Sequence, residues 1–227
     1  MLKRNLIIIP ARKGSKRIKN KNLIKILNKP LITWTINYAK KIKKKNYDIV
    51  VTSDCEKIKK ICKKEKIFFL NRPKKISGDY TPIQEVIFHA VNNLNQDYKY
   101  IILLQTTSPL RNLDLVNKSI KILDNNKKFD SLTHLAKDSS FTGKVVNNRW
   151  IPDYDLKKRS QDIDKKLLPT GNLYIYRSQL FKDRIKTPKK TYGLISHNEI
   201  WVDIDYQKDL VILNYYLKQL KNKKNFY

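Results

Sequence analysis

The sequence predicts a three-layer α/β/α domain with a mostly parallel sheet. Short apolar runs rich in isoleucine and valine alternate with longer segments of helical period through the first half of the chain, which is typical of repeated strand–helix units. The first of these runs, "NLIII" at residues 5–9, predicts a strand that is fully buried. A polar excursion at about residues 138–170 interrupts the alternation before strand-like sequence resumes.

Length and composition favour one domain. With 227 residues and a hydrophobic content of 41%, the chain can bury a substantial core, and chains of this length usually form one domain or at most two. No internal repeat or low-complexity linker divides the sequence. We therefore predict that residues 1–227 form a single domain.

The individual elements follow from where apolar runs, helical periods and breaker residues lie. Pro30 stands at the start of the first predicted helix, a position where its missing N–H costs nothing. The predicted strands are residues 5–9, 48–52, 66–70, 99–104, 129–136, 171–176 and 200–204. The predicted helices are residues 31–42, 54–65, 82–94, a segment that follows Asn112, and 206–219.

The excursion at 138–170 contains a hairpin signal. The stretch "FTGKVVNNRWIPDYD" predicts two short strands that turn at Asn147 and Asn148, whereas residues 152–169 are polar and look irregular. A long excursion from a compact sheet domain is usually functional. The sequence leaves open whether it is a lid or an arm that binds a second subunit.

The charge of the chain is strongly positive but widely spread. The formal net charge is +29 and the pI is about 10.0, values that usually suggest nucleic acid or an anionic membrane as partner. However, lysines recur throughout, as in "KKIKKKNYD" and "ICKKEKIFF", and form no single basic stripe. We therefore predict that the protein does not bind nucleic acid.

The cysteines and the hydropathy pattern predict a cytoplasmic protein without a membrane segment. Cys55 and Cys62 are the two cysteines of the chain, and buried free thiols are commoner than bridges at such a spacing. No apolar stretch approaches the roughly 20 residues that cross a bilayer. The N-terminal sequence runs directly into a strand pattern without a signal-peptide cleavage site.

The basic loop after the first predicted strand is the strongest functional signal. In "PARKGSKRIKNKN", residues 10–22, six lysines and arginines surround one glycine and one serine. Ligands of open α/β sheets bind beyond the carboxyl ends of the strands, where this loop must lie. The glycine permits close backbone approach, and charge-assisted hydrogen bonds are strong. The pattern predicts a polyanion site of triphosphate size, formed by Arg12, Gly14, Ser15, Lys16, Arg17 and Lys21.

Two well-known phosphate motifs are excluded by inspection of this loop. It lacks the GK[ST] ending of a Walker A motif and the GxGxxG fingerprint of dinucleotide folds. The remaining alternative is a solvated loop in a lysine-rich protein, and the position of the loop after a buried strand favours phosphate binding over that alternative.

A pair of carboxylates stands near the other end of the chain. In "IWVDIDYQKDL", Asp203 and Asp205 are two residues apart, so in an extended backbone their side chains point to the same side. Two such carboxylates can share one Mg²⁺, which completes its shell with waters and phosphate oxygens. Asp205 is alternatively placed to cap the helix predicted at 206–219, with Asp209 in its first turn.

Five stretches carry a resemblance to a known family over nearly the whole chain. They are "IIIPARKGSKRIKNKN", "NRPKKISGDYTP", "LLQTTSPLR", "TGNLYIY" and "DIDYQKDL". In this order they resemble the acylneuraminate cytidylyltransferases, also called CMP-sialic acid synthetases. The resemblance implies a nucleotide-diphosphosugar transferase-like, Rossmann-like fold and a homodimer joined through residues 138–170. It also implies that CTP reacts with a sialic-acid-like nine-carbon 2-keto sugar acid to give CMP-sugar and pyrophosphate.

The resemblance also implies roles for individual residues. Arg12 and Lys21 would contact the phosphates of CTP and, with Asp203, form the catalytic set. Around the sugar acid, the resemblance places Gln105, Ser108, Arg111 and Gly171. It assigns Mg²⁺ to Asp203 and Asp205. The remaining nucleotide-binding residues are Gly14, Ser15, Lys16, Asn22, Arg72, Gly78 and Asp79, of which Arg72 and the backbone at 78–79 would shape the cytosine pocket.

Three positions depart from the family pattern. Lys19 and Thr106 stand where prolines are usual, and neither proline side chain does chemistry. Leu168 stands where sialic-acid enzymes have an arginine that pairs with the sugar carboxylate. Arg159, Lys165 or Lys166 would have to replace it, so the sequence leaves the acid open among sialic, legionaminic, pseudaminic and related acids.

Two other functions remain as alternatives. A CMP-Kdo synthetase would use the same chemistry on an eight-carbon acid, but such enzymes usually carry a "YGSTRLPGK" loop, and "KGSKRIKNKN" is closer to the acylneuraminate form. A noncatalytic polyanion- or RNA-binding protein would explain the basic loop alone. It would have no use for a carboxylate pair beside that loop.

Overall fold

The computed structural model describes residues 4–94, 96–138, 140–196 and 200–220. The strands are β1 (Arg4–Pro10), β2 (Lys25–Ile26), β3 (Lys29–Pro30), β4 (Tyr47–Ser53), β5 (Phe68–Asn71), β6 (Tyr98–Leu103), β7 (Ser131–Asp138), β8 (Gly143–Val146), β9 (Arg149–Pro152), β10 (Lys166–Arg177) and β11 (Thr191–Ile195). The helices are α1 (Leu31–Ile42), α2 (Glu56–Glu65), α3 (Ile83–Leu94), α4 (Leu115–Asn125) and α5 (Gln207–Leu220).

Seven strands form the central sheet in the order β11-β7-β10-β6-β1-β4-β5. β1 pairs in parallel with β4 and β6, β4 with β5, and β7 with β11. β10 is antiparallel to both of its neighbours. The prediction of a mostly parallel sheet is therefore confirmed.

Alternate side chains of β1 enter two different layers. Ile7 and Ile9 pack with residues of α1, α2 and α4 on one face. Leu6 and Ile8 pack with residues of α3 on the other face. Burial of both faces is why this strand is a continuous apolar run, and it confirms the three-layer arrangement.

The predicted strand at 200–204 is wrong. Residues 200–205 belong to no strand, and Val202 and Ile204 are buried against Ile18, Leu110 and α5 instead. Because every second residue of this segment is buried among these side chains, its sequence has the same alternating pattern as a half-buried strand. The strand at the β7 side of the sheet is instead β11, a strand that was not predicted from the sequence.

The excursion is partly more regular than predicted. β8 and β9 pair around Asn147 and Asn148, whose φ angles are 49° and 62°, as a two-residue hairpin turn requires. This confirms the hairpin. β10, however, begins at Lys166 and pairs with the end of β7. Residues 166–169 are therefore a strand, and their uniform exposure removes the alternation of buried and exposed positions that would have revealed it.

Two smaller predictions concern the thiols and the hydropathy. Cys55 and Cys62 are buried and free, as predicted, and burial raises the pKa of Cys62 to about 11. Within the part of the chain that the structure describes, no helix has the length and apolar character needed to cross a bilayer.

Candidate active site

The basic loop leaves β1 and folds back over the sheet edge. The backbone N–H of Ala11 donates to the carbonyl of Thr52 at 3.0 Å. Further along, the amide of Asn22 donates to the carbonyl of Arg12 at 3.0 Å, and its oxygen accepts from Thr106 at 2.6 Å. The Asn22 side chain therefore hydrogen-bonds the end of the loop both to its beginning and to the segment after β6.

The carboxylate segment reaches the same edge by a different route. The N–H of Ile204 donates to the carbonyl of Thr107 at 2.9 Å. Because Val202 and Ile204 turn into the core, Asp203 and Asp205 are left on the side of the cleft. Lys21 closes the arrangement, since its ammonium contacts the carbonyl of Ile204 and, at 3.1 Å, a carboxylate oxygen of Asp205.

These segments enclose a cleft of about 510 Å³ beyond the carboxyl ends of β1, β4 and β6. Most of the residues predicted for the nucleotide, the metal and the sugar acid line it together. They are Arg12, Ser15, Lys16, Arg17, Lys21, Asn22, Arg72, Gly78, Asp79, Gln105, Asp203 and Asp205. Gly14, Ser108, Arg111 and Gly171 do not line the cleft.

Four other residues that line the cleft were not predicted individually as site residues. Tyr80 and Thr81 belong to the "NRPKKISGDYTP" stretch, and Thr106 and Thr107 belong to the "LLQTTSPLR" stretch. All four lie within quoted motifs, so membership of a motif was the available signal. The ring of Tyr80 receives the ammonium of Lys16 at 4.7 Å from its centre, a favourable cation–π contact.

Four cations of the basic loop pair with two carboxylates that line the cleft. Arg12 and Lys16 both contact Asp79, the latter at 3.3 Å. Arg17 and Lys21 both contact Asp205, at 2.9 and 3.1 Å. The hydrogen bond from Arg12 is the main cause that lowers the pKa of Asp79. The carboxylate is therefore ionised at neutral pH and neutralises part of the charge that a phosphate would meet.

Asp79→Asn is expected to strengthen CTP binding by roughly two- to fivefold, because a triphosphate then no longer competes with this carboxylate for Arg12 and Lys16. Isothermal titration calorimetry at low salt measures the change. Asp162→Asn, which removes another exposed carboxylate paired with an arginine, is the control with unchanged affinity. Weaker CTP binding by Asp79→Asn would mean that the carboxylate contributes to the nucleotide site instead.

Arg72 supplies a buried cation to the cleft wall. Its side chain is 5% exposed, and its guanidinium donates to the carbonyl of Thr52 at 2.7 Å. Burial lowers the pKa of Arg72 to about 10, which still leaves it protonated at neutral pH. The positive charge is therefore fixed in position before any anion binds, as preorganised electrostatic binding requires.

The two carboxylates of the segment fit a magnesium site. Among the described residues, no group of three or more His, Cys, Asp or Glu side chains could hold a metal. Mg²⁺, however, is commonly bound by one or two carboxylates together with substrate phosphates. Asp203 and Asp205 both face the cleft in which the phosphates would lie, so the donor set suits a metal that arrives with a nucleotide.

Asp209 takes the capping role that the sequence left open for Asp205. One carboxylate oxygen of Asp209 accepts from the backbone N–H groups of Asp205 and Tyr206, at 2.8 and 2.7 Å. This satisfies donors at the start of α5. The Asp205 carboxylate instead contacts Arg17 and Lys21 at the cleft.

Arg111, predicted beside the sugar acid, does not line the cleft. It is 1% exposed, and its guanidinium donates to the carbonyl of Asn172 at 2.7 Å and to the carbonyl of Gln105. Burial lowers its pKa to about 10. Arg111 therefore joins β10 to the segment after β6.

Arg111→Ala is expected to lower the free energy of unfolding by about 3 kcal/mol, because it leaves a cavity and two buried carbonyls without their donor. Urea denaturation measures the change, with the exposed Arg149→Ala as a control near wild-type stability. A fully stable Arg111→Ala with only a raised KM for the sugar acid would restore the original assignment.

Leu168 and the three candidates to replace the missing arginine all lie in the excursion at 138–170. Leu168 lies in β10, opposite Ala136 of β7. Of the three candidates to replace the missing arginine, Lys166 contacts Asp153 and Arg159 contacts Asp162. Lys165 is exposed next to the start of β10.

A cationic cleft at the carboxyl ends of parallel strands, with two carboxylates on its wall, defines a class of protein: enzymes that bind a nucleoside triphosphate and transfer part of it. A family model described as Cytidylyltransferase matches residues 6–224. The chain belongs to this family of CTP-dependent nucleotidyltransferases, which confirms the family predicted from the sequence.

Two curated relatives illustrate the similarity. The pseudaminic acid cytidylyltransferase of Campylobacter jejuni is 34% identical over 220 residues, which cover 91% of this chain and 93% of that protein. The N-acylneuraminate cytidylyltransferase of Escherichia coli is 28% identical over 226 residues, which cover 96% of this chain but 53% of that protein.

Two solved structures share the fold at low sequence identity. A CMP:2-keto-3-deoxy-manno-octonic acid synthetase complexed with CTP has a TM-score of 0.68 and 16% identity, with 95% of this chain and 99% of that one covered. The 4-diphosphocytidyl-2C-methyl-D-erythritol synthase of Anaerococcus prevotii has a TM-score of 0.65 and 14% identity, with 95% and 96% covered. These likenesses confirm the fold class.

Proposed function

We propose that this enzyme transfers the cytidylyl group of CTP, with Mg²⁺, to a nine-carbon 2-keto sugar acid of the pseudaminic type, giving CMP-sugar and pyrophosphate. The observation that carries the proposal is that cations of the loop after β1 line the same cleft as Asp203 and Asp205. The contact between Lys21 and Ile204 joins segments that are 183 residues apart in the sequence. A binder of polyanions alone would have no need of those carboxylates.

The choice of acid follows from similarity and from Leu168. The relative with the highest identity reported above carries the name of pseudaminic acid, and this chain matches nearly its full length. The N-acylneuraminate relative is about twice as long as the part that matches. Leu168 also departs from the arginine expected in sialic-acid enzymes, which favours a different acid.

The proposed reaction is an in-line displacement. The anomeric hydroxyl oxygen of the acid bonds to the α-phosphorus of CTP and loses its proton to solvent, while the bond from that phosphorus to the β-phosphate oxygen breaks and pyrophosphate leaves. Positioning and charge stabilisation carry most of the rate in such transfers. In this site Arg12, Lys16, Lys21 and Arg72 would orient the triphosphate and offset its charge.

The proposed metal would be held by Asp203 and Asp205. When bound, Mg²⁺ neutralises charge on the phosphates and polarises the phosphoryl group. Lys21 and Arg17 contact Asp205 in the ligand-free arrangement and hold that carboxylate on the cleft side. Gln105 lines the cleft next to the segment that would face the acceptor.

We further propose that the excursion at 138–170 joins two copies of the chain. The hairpin of β8 and β9 exposes apolar side chains, among them Val145 at 65% and Trp150 at 51%. Lys166 of β10 contacts Thr142 and Asp153, which flank the hairpin, and these contacts hold the hairpin against β10.

Trp150→Ser is expected to convert a dimer into a monomer in sedimentation velocity, whereas a wild-type monomer would contradict the proposal.

A cytoplasmic location also remains a proposal. Two buried free thiols, Cys55 and Cys62, are typical of proteins in reducing compartments. Cell fractionation with an antibody against the protein would test it.

Pyrophosphate release is the test of the proposed function. The protein is incubated with CTP and Mg²⁺ and with pseudaminate, N-acetylneuraminate, legionaminate or Kdo in turn. Release with pseudaminate well above the other acids is expected. Preference for Kdo or N-acetylneuraminate would contradict the proposed acid but not the proposed reaction. No pyrophosphate release with any acid, together with salt-sensitive RNA binding, would contradict the proposed enzymatic function.

A further inference from the structure

Ser108 is a fully buried hydroxyl that lies directly behind the cleft. Its side chain is 0% exposed. Its oxygen lies 3.1 Å from the carbonyl oxygen of Thr170 and 3.2 Å from a carboxylate oxygen of Asp203. A hydroxyl has one proton to donate, and the bond to a carboxylate is the stronger of the two. Ser108 is therefore placed to hold one oxygen of Asp203.

The segment that carries Asp203 is attached to the same turn at a second point. The backbone N–H of Ile204 donates to the carbonyl of Thr107, the residue before Ser108. This bond fixes where the segment lies. The hydroxyl of Ser108 acts on the side chain instead and restricts the rotation of the Asp203 carboxylate at the cleft.

An irregularity in β10 holds Ser108 in place. The register of β10 shifts between Pro169 and Tyr174, and Gly171 there has φ of +71°. A Cβ at Gly171 would overlap the hydroxyl of Ser108 and would lie 2.9 Å from the amide oxygen of Gln105. The close approach needs glycine, and it leaves Ser108 little freedom to turn away from Asp203.

The irregular part of β10 is itself braced by buried polar contacts. The hydroxyl of Thr170 lies 2.8 Å from a ring nitrogen of His134 and accepts from the N–H of Asn172 at 3.2 Å. His134, Thr170 and Asn172 are each at most 1% exposed. A continuous buried network therefore runs from β7 through β10 to Ser108 and ends at the cleft carboxylate.

We propose that Ser108 is a positioning residue that sets the Asp203 carboxylate for a divalent cation, and that it does not contact the sugar acid. The inference rests on the proposed function, because it gives Asp203 the cation that accompanies CTP. Groups that orient metal ligands in this way typically change metal affinity by ~10-fold or more when removed. Gly171 serves the same end by allowing β10 to approach Ser108.

The test is Mn²⁺ binding by electron paramagnetic resonance, with CTP present and no acceptor, so that no turnover is needed. Ser108→Ala is expected to weaken Mn²⁺ binding ~10-fold and to raise the Mg²⁺ concentration for half-maximal pyrophosphate release by a similar factor. Binding of CTP without metal should stay unchanged. Ser108→Cys, which keeps the volume with a weaker donor, should fall between Ser108→Ala and the wild type.

Ser119→Ala is the matched control. Ser119 is also 0% exposed, and its hydroxyl donates to the carbonyl of Leu115 within α4. This variant removes a buried hydroxyl away from the cleft and should bind Mn²⁺ as the wild type does. Circular dichroism melting curves identify any loss of fold in either serine variant.

Two results would overturn the inference alone. Wild-type Mn²⁺ affinity in Ser108→Ala would show that the hydroxyl does not orient Asp203, and a raised KM for the sugar acid at unchanged metal affinity would make Ser108 a substrate contact. A wild-type protein that binds no Mn²⁺ in the presence of CTP would contradict the proposed metal site as well.

Discussion

Asp203→Asn is expected to reduce pyrophosphate release by ~10²-fold or more while the protein stays folded. The substitution keeps the shape of the side chain and removes a negative charge that faces the cleft. With it goes one of the two carboxylates proposed to hold Mg²⁺. Loss of one well-aimed electrostatic contact in a reacting site typically has an effect of this size.

The measurement is steady-state pyrophosphate release at saturating CTP, with Mg²⁺ varied over a wide range. Asp48→Asn is the matched control, because Asp48 is also a part-buried carboxylate, paired with Arg4 away from the cleft. It should retain wild-type kcat at some cost in stability. Turnover of Asp203→Asn close to that of the wild type would refute the role of this carboxylate.

Arg12→Ala is expected to lower kcat/KM for CTP by ~10²-fold or more. The guanidinium of Arg12 lines the cleft and is half of the pair with Asp79. Its removal takes away a charge-assisted donor to phosphate. It also leaves the Asp79 carboxylate in the cleft with Lys16 as its remaining ion-pair partner among the described residues, which adds repulsion toward the triphosphate.

Arg4→Ala is the control that separates an effect of Arg12→Ala on the cleft from an effect on folding. Arg4 pairs with Asp48 at the start of β1, whereas Arg12 follows the end of that strand. Arg4→Ala should retain kcat/KM for CTP. If the two arginine variants lost the same small fraction of activity, the cleft would have no special need for Arg12.

The fold was predictable where burial and sequence period coincide. β1 is buried on both faces, so its apolar run identified both the strand and the loop beyond its end. The hairpin was predictable because two asparagines tolerate the positive φ of its turn. β11 and the start of β10 lie at exposed or polar positions, where a strand leaves little hydrophobic alternation to detect.

The candidate site was predictable in its residues but less so in its contacts. The rule that ligands bind at the carboxyl ends of strands, together with the family resemblance, placed Lys21 and Asp205 in one cleft. The burial of Arg111 was not predictable, because one of its acceptors, the carbonyl of Asn172, lies 61 residues further along the chain. The position of Asp79 between Arg12 and Lys16 likewise depends on two loops that only the tertiary structure brings together.

The central claim is that the loop cations and the carboxylate pair act on one CTP and its metal. Calorimetric titration of CTP into wild type and Asp203→Asn, each with and without Mg²⁺, tests it most directly. We expect Mg²⁺ to strengthen CTP binding about tenfold in the wild type, a factor like those by which perturbed metal sites change metal affinity, and to strengthen it much less in Asp203→Asn. Equal strengthening by Mg²⁺ in both proteins would contradict the shared site.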